Sequence, residues 1–218
     1  EYKYLLDNCT LAVLSRETDD RGEILSFKRS LENEDGARVR LIEHEPLPMS
    51  SAEIRALLPK AGGAELLDDG VYSLIIRNRW YASKPELRWL REKVRPYLTE
   101  KRARHVAGCE EQAVKLAKRW GADVYEAAEA GILHDITKKL SDEEQLIMCG
   151  KYGIILDAAE RRNPRILHAR TGAALARELF GIPDGIYSAI RWHTTGKPDM
   201  SLMEKIIYLA DFTEPTRD

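Results

Sequence analysis

The sequence predicts an α+β chain in two parts: an all-α helical bundle over residues 83–218, preceded by a partial α/β segment over residues 1–82. Three observations carry this reading. Short strand-type runs flank one helical run near the start, which is α/β rhythm. From Lys84 onward, apolar residues recur at three- and four-residue steps with no strand pattern between them. Each of those periodic stretches is bracketed by helix-start and helix-stop residues.

In the first part, Leu11-Ala12-Val13-Leu14 is a strand-type apolar run, Glu23 to Leu31 can form a helix, and Asn33-Glu34-Asp35-Gly36 forms a turn before the alternating stretch Arg38 to Ile42. After Pro46 and Pro48 comes Ser50-Ser51-Ala52-Glu53-Ile54-Arg55, where serine followed by glutamate marks a helix start. Its free N–H groups, with Arg55 one turn in, could hold a phosphate, although an ordinary capped surface helix explains the pattern as well.

In the second part, Pro85 suits the first turn of a helix through Leu90 and Val94, which Pro96 closes. Thr99 caps the next, whose inward stripe runs through His105, Cys109, Gln112 or Ala113, Leu116 and Trp120 to a stop at Gly121. Asp123 with Glu126 offers a capping box for a helix through Ala127, Ala128 and Gly131 to His134, and its small residues permit close backbone approach. Ser141 with Glu144 starts a helix that stops near Gly150 to Gly153. Asn163-Pro164 starts one carrying His168, Gly172, Leu175 and Leu179 up to Gly181. Pro183 starts one carrying Ile186, Ile190 and His193, and Ser201 with Glu204 caps the last, which carries Ile207 and Asp211.

Composition excludes several classes. The chain has 218 residues, 44% hydrophobic and 32% charged, with a formal charge of −2, so it has no global field to draw it onto nucleic acid or an anionic membrane. No apolar run approaches a membrane span. Cys9, Cys109 and Cys149 show no paired spacing, which fits reduced thiols in a cytoplasm. The chain opens on Glu1 with a strand-like run soon after, and is expected to be a piece of a longer polypeptide.

Four of the five histidines, His105, His134, His168 and His193, fall on or at the ends of separate helices in the second part. Asp135 follows His134 directly, and Asp211 lies within the apolar run Ile206 to Ala210, where an unpartnered carboxylate would be costly to bury. One core imidazole is ordinarily a hydrogen-bonded structural residue. Four of them with two aspartates point instead to a site for one or two divalent metal ions. Imidazole and carboxylate without thiolate suit iron, manganese or zinc. Asp135 is the natural bridge between two ions, because one carboxylate has two oxygens. Such a pair clamps a phosphoryl group and makes water reactive at neutral pH. His44, in the first part, reads as incidental.

Two resemblances follow from the motifs. His105, then His134-Asp135, then Asp211 resembles the HD-domain phosphohydrolase superfamily. The segments Leu133 to Lys138, Leu167 to Gly172, Ile190-Arg191-Trp192-His193-Thr194-Thr195-Gly196 and Met200 to Pro215 are similar to its YqeK-type branch. That branch comprises bacterial hydrolases that cut diadenosine tetraphosphate symmetrically into two ADP. Separately, Ser50 to Arg55 followed by Gly70 to Tyr81 resembles the C-terminal part of nicotinate-nucleotide adenylyltransferases, in which the serine-rich turn and its arginine bind ATP phosphates. The glycine-rich first loop and His-x-Gly-His motif of that family are absent, so residues 1–82 are expected to be a partial Rossmann-like fragment without adenylyl transfer, from a natural fusion active in NAD biosynthesis.

The resemblance implies the following division of labour. His105, His134, Asp135 and Asp211 hold a first metal, and His168 and His193 complete a second site or meet the substrate phosphate. The cofactor is one or two divalent ions, iron first, with manganese or zinc as alternatives. Asp135 and Lys138 are the catalytic pair, and Thr194, Thr195, Arg191, Lys197 and Arg217 are the expected substrate contacts. The basic cluster Arg161, Arg162 and Arg165 reads as a solvated turn. The expected partner is a dinucleoside polyphosphate, with no nucleic acid and no membrane, and related proteins imply a homodimer. The family's members usually continue with another helix beyond Asp218. Alternative readings are another metal-dependent HD nucleotidase or cyclic-dinucleotide phosphodiesterase, and a non-catalytic nucleotide sensor.

Overall fold

A computed structural model describes residues 2–15, 20–43 and 49–216. Expectations placed on His44 and Arg217 lie outside the described residues. The chain divides into two compact units between Ile54 and Arg55.

The first unit has helix α1 (Tyr2–Asn8), strand β1 (Thr10–Leu14), helix α2 (Arg21–Glu34) and strand β2 (Arg38–Ile42). The strands pair in parallel, Thr10 opposite Arg38 and Leu14 opposite Ile42, so α2 is the crossover of one βαβ turn. Alternation in β2 buries Val39 between exposed Arg38 and Arg40. Its core is small: Leu6, Ala37 and Val39 are buried, with Leu11, Val13 and Leu31 against them.

Helix α3 (Ser51–Leu57) crosses the division. Ser50 Oγ accepts from Glu53 N at 3.2 Å while Glu53 Oε2 accepts from Ser50 N at 2.7 Å. This is the plain cap, with a carboxylate already sitting at the helix start. Arg55 lies over the Tyr81 ring at 5.5 Å.

The second unit contains α4 (Asp69–Asn78), α5 (Leu87–Val94), α6 (Glu100–Trp120), α7 (Val124–Leu133), α8 (Asp142–Lys151), α9 (Ala158–Arg162), α10 (His168–Phe180), α11 (Asp184–Trp192) and α12 (Leu202–Thr213). The caps fall where the sequence places them. Thr99 accepts from Arg102 N, Ser141 with Glu144 and Ser201 with Glu204 form full capping boxes, and Gly121 and Gly181 end their helices in the left-handed region. Asp123 accepts from Glu126 N. A 3-10 turn, Pro164–Ile166, precedes α10, so that helix opens at His168 rather than at Asn163-Pro164.

Helix α6 packs on α7 and α12, and α11 packs on α10, α12 and α7. Leu90, Ile132, Leu133, Ile190, Ile206 and Ile207 fill the interior, each contributing about 1.5–3 kcal/mol by leaving water. Gly131 lets α6 and α7 touch: a Cβ there would sit 2.8 Å from the Cα of Glu110. Trp120, expected on the inward stripe of α6, is 59% exposed, its ring under the Arg119 guanidinium at 5.4 Å. The last turn of α6 overruns the core, so periodicity alone misplaces it.

The division also falls earlier than the 82/83 boundary expected from the sequence. Tyr72, Ile75 and Ile76 of α4 belong to the same core as Leu90 and Ile190. Arg79 Nε donates to the carbonyls of Phe180 and Gly181 at 3.1 and 3.0 Å, and its guanidinium pairs with buried Glu129. The Gly70 to Tyr81 part of the segment resembling an adenylyltransferase is here built into the helical unit. Among the described residues no helix is long and apolar enough to cross a membrane.

Candidate metal centre

Six side chains from α6, the end of α7, the start of α10, the end of α11 and α12 converge on one cavity. His134, Asp135, His168 and His193 are buried, and His105 and Asp211 are half-buried. Three of the imidazoles are held alike. The Nδ1 of His134 lies 2.7 Å from Gly131 O, that of His168 2.6 Å from Arg165 O, and that of His193 2.7 Å from Ile190 O. A carbonyl only accepts, so each Nδ1 carries the proton and each Nε2 turns a lone pair toward the cavity. His105 Nδ1 is held instead by Glu214 Oε1 at 2.9 Å, with the same consequence for its Nε2.

Asp135 stands between two histidine pairs. Its Oδ2 is 3.6 Å from His105 Nε2 and 3.5 Å from His134 Nε2, while its Oδ1 is 3.3 Å from His168 Nε2 and 3.6 Å from His193 Nε2. Asp211 Oδ1 joins the first pair, 3.0 Å from His105 Nε2 and 3.9 Å from His134 Nε2. Ligand atoms of His105, His134 and Asp211 form one close group, and those of His134, Asp135 and His193 a second.

This donor set fits a divalent cation. His168 Nε2 and His193 Nε2 lie 3.2 Å apart with their lone pairs facing each other, and Thr194 Oγ1, 3.2 Å from both, has one proton for the two. Lone pairs so close need a positive charge between them. The protonation pattern agrees. Burial pushes Asp135 up, but His134, His193 and His168 outweigh it and hold the carboxyl well below the usual range. Burial likewise opposes ionisation of Asp211, yet the close approach of His105 and the charge of His134 bring it down to about 2. Burial, reinforced by His193 and Lys138 against the pull of Asp135, lowers His168 to about 3 and keeps it neutral. Burial opposes charge on His134, but Cys109 and Asp135 raise it well above the ordinary value, so a proton there serves as the local counter-charge. Asp135 and Asp211 as anions and His168 as free base are in the forms that bind a metal, and a cation in the site would take the place of the His134 proton.

Around these groups lies an open cavity of about 780 Å³, lined also by Lys101, Arg102, Arg104, Lys138 and Thr194. Arg102 Nη1 donates to Asp135 Oδ2 at 2.7 Å, and Lys138 Nζ is 3.3 Å from both ring nitrogens of His168. Tyr208 and Phe212 lie one turn apart on α12 at the same cavity, their rings nearly parallel at 6.4 Å.

The six expected metal ligands thus come together, as do Lys138 and Thr194. Among the described residues, the other expected substrate contacts do not line this cavity. Thr195 is exposed and donates to Gly196 O at 3.2 Å, Lys197 pairs with Glu204 at 2.8 Å, and Arg191 lies over the Trp192 ring at 4.6 Å. The chain turns sharply after α11, so neighbouring side chains leave on opposite sides. Arg161, Arg162 and Arg165 are exposed, as expected of a solvated turn.

Sequence reasoning missed Glu214 and the cations Lys101, Arg102 and Arg104. Glu214 follows Asp211 by one helical turn, and that spacing was the available signal. Its place depends on Gly108, where a Cβ would meet Glu214 Oε2 at 2.3 Å. Only a residue without a side chain lets α6 pass the carboxylate that holds His105.

A helical bundle with histidines and aspartates converging from separate helices defines the class, and the chain belongs to the HD domain family, whose model matches residues 102–216. Within that family it is 43% identical over 125 residues to a Halalkalibacterium halodurans protein named bis(5'-nucleosyl)-tetraphosphatase, symmetrical, a match covering 57% of this chain and 66% of the relative. It is 32% identical over 130 residues to a Mycoplasma pneumoniae protein named probable nicotinate-nucleotide adenylyltransferase/Ap4A hydrolase, covering 59% of this chain and 37% of the relative. Among solved structures it is similar to that of a predicted HD superfamily hydrolase involved in NAD metabolism from Clostridium acetobutylicum. That chain is 41% identical with a TM-score of 0.56, and the match covers 58% of this chain and 70% of the other.

Proposed function

We propose that this chain is a metal-dependent phosphohydrolase that cleaves diadenosine tetraphosphate, or a closely related dinucleoside tetraphosphate, symmetrically to two nucleoside diphosphates in the cytoplasm. The observation that carries the reading is Asp135, one oxygen toward His105 and His134 and the other toward His168 and His193. That arrangement suits a bridging carboxylate, with Asp211 completing the first set. Iron is the first candidate for the metal, with manganese and zinc as alternatives. A divalent pair there would supply positive charge to the phosphoryl oxygens and hydroxide at neutral pH.

The chain's own residues do the rest. Lys138, Arg102, Arg104 and Lys101 line the cavity and neutralise the polyphosphate as charge builds on the phosphoryl oxygens and the leaving diphosphate. Thr194 Oγ1 is placed to donate to a phosphate oxygen once a cation relieves the pair His168 and His193. Glu214 keeps the Nδ1 proton of His105 fixed, so its Nε2 stays available. The name of the H. halodurans relative supports the substrate and the symmetric cut.

Product chromatography tests the reaction. Diadenosine tetraphosphate is expected to yield ADP alone, and adenosine tetraphosphate with AMP would reject the assignment. Asp135→Ala is expected to lower turnover on the order of 10⁴-fold or more and to empty the site of metal by elemental analysis. Retained turnover would reject the role of Asp135.

We further propose that residues 1–82 derive from the C-terminal end of a nicotinate-nucleotide adenylyltransferase and lack adenylyl transfer themselves. The parallel βαβ turn and the paired activities in the name of the M. pneumoniae relative support this origin.

A further inference from the structure

The turn after α11 has two faces. His193 and Thr194 point into the metal cavity, whereas Trp192 and Thr195 line a separate cavity of about 560 Å³ beside α9 and α10. Arg170 and Arg191 both reach it. The acids on its wall are already engaged. Asp157 Oδ1 caps α9 by accepting from Ala159 N and Glu160 N, each at 2.8 Å, and Glu160 Oε2 accepts from Arg170 Nη1 at 2.6 Å. The Nε of Arg170 is buried and has no hydrogen-bond acceptor. Half-buried Arg191 has no carboxylate at ion-pair distance among the described residues, and its guanidinium lies over the Trp192 ring at 4.6 Å.

Two guanidiniums in one concave, partly desolvated space repel each other, and a buried donor without an acceptor adds to that cost. That repulsion is relieved by one ligand type, a polyvalent oxyanion, which guanidinium forks bind through paired short hydrogen bonds. We propose that this cavity is a second anion site, distinct from the metal centre, that takes phosphate groups of a nucleotide or polyphosphate between Arg170 and Arg191. Burial and the charge of Arg170 lower the Arg191 pKa against the opposing pull of Tyr187 and Glu160.

The site carries its own reporter. The full chain has four tryptophans, so a ¹⁵N-labelled, chelator-treated sample gives four indole signals, and Trp192→Phe assigns the relevant one. Titration with inorganic tripolyphosphate is expected to shift the Trp192 signal to saturation. Arg191→Gln should weaken that titration about tenfold or more, the loss of a charge-assisted pair, with Arg191→Lys in between. A Trp192 signal that does not move, or an Arg191→Gln chain that titrates like the parent, overturns the proposal. The source of the phosphate is read from turnover of diadenosine tetraphosphate. A raised KM at unchanged kcat in Arg191→Gln assigns the site to the substrate's far phosphates. An unchanged KM, with loss of a tripolyphosphate effect on rate, assigns it to a separate effector. Both uphold an anion site, and because the spectrum needs no turnover, its failure is distinct from failure of the hydrolase reading.

Discussion

The two units of this chain contrast in how they satisfy their apolar residues. The helical unit buries Tyr72, Leu90, Ile132, Ile190 and Ile207 almost completely in one continuous core. The βαβ unit buries Leu6, Ala37 and Val39 and leaves Tyr2, Tyr4, Leu14 and Phe27 half or more exposed. A two-stranded sheet with so small a core has little stability of its own. The difference teaches that the stability of the described chain resides in the unit that carries the candidate metal centre, and that helix α4 belongs energetically to that unit.

The sharpest way to break this comparison is truncation. A chain beginning at Arg55 should melt at nearly the temperature of the parent and keep turnover within about twofold, because the bundle core is untouched. A chain beginning at Ser83 removes Tyr72, Ile75 and Ile76 from the core, each worth about 1.5–3 kcal/mol. That loss rivals the whole net stability of a domain, about 5–15 kcal/mol, and the shorter chain should not fold by circular dichroism. Equal melting of the two truncations would restore the boundary at 82/83.

A smaller effect sharpens the comparison through pH. His168 is held at about 3 in the folded chain, well below the roughly 6.5 of free imidazole. Between those values the unfolded chain binds the extra proton, so the stability His168 contributes above pH about 6.5 is lost as pH falls toward 3. In metal-free protein, urea unfolding is expected to show lower stability at pH 5 than at pH 7, and His168→Gln should flatten that difference. No flattening would mean that other groups carry the acid sensitivity.

The smallest effect is expected in the βαβ unit. Phe27 is 67% exposed on α2, so Phe27→Ser should change thermal stability by no more than about 0.5 kcal/mol. A larger destabilisation in the melt would mean that this ring is covered in solution and that the contrast between the units is overstated.

Much of the helical unit was legible in the sequence because its punctuation is local. Thr99, Ser141, Ser201, Gly121 and Gly181 act on backbone groups within a turn of themselves, so their identity alone places the helix ends. The convergence of the candidate metal residues was legible because imidazole and carboxylate at helical spacing beside apolar neighbours have few uses. The domain boundary was not legible, since Tyr72 and Ile76 declare only that they will be buried, not against which partner. The role of Glu214 was hidden for the same reason, because its meaning depends on His105, a residue 109 positions away.

By itself, then, the sequence determined where most helices begin and end, most of the residues that turn inward, and which histidines and aspartates are candidates for one shared site, all consequences of short-range backbone chemistry and hydrophobic period. Tertiary structure alone decided that Asp135 divides its two oxygens between two histidine pairs, that α4 joins the bundle, and that Thr194 and Thr195 part company across the turn after α11. The physical reason is that facing and distance are set by how helices cross, and crossing is fixed by packing between residues far apart in the chain.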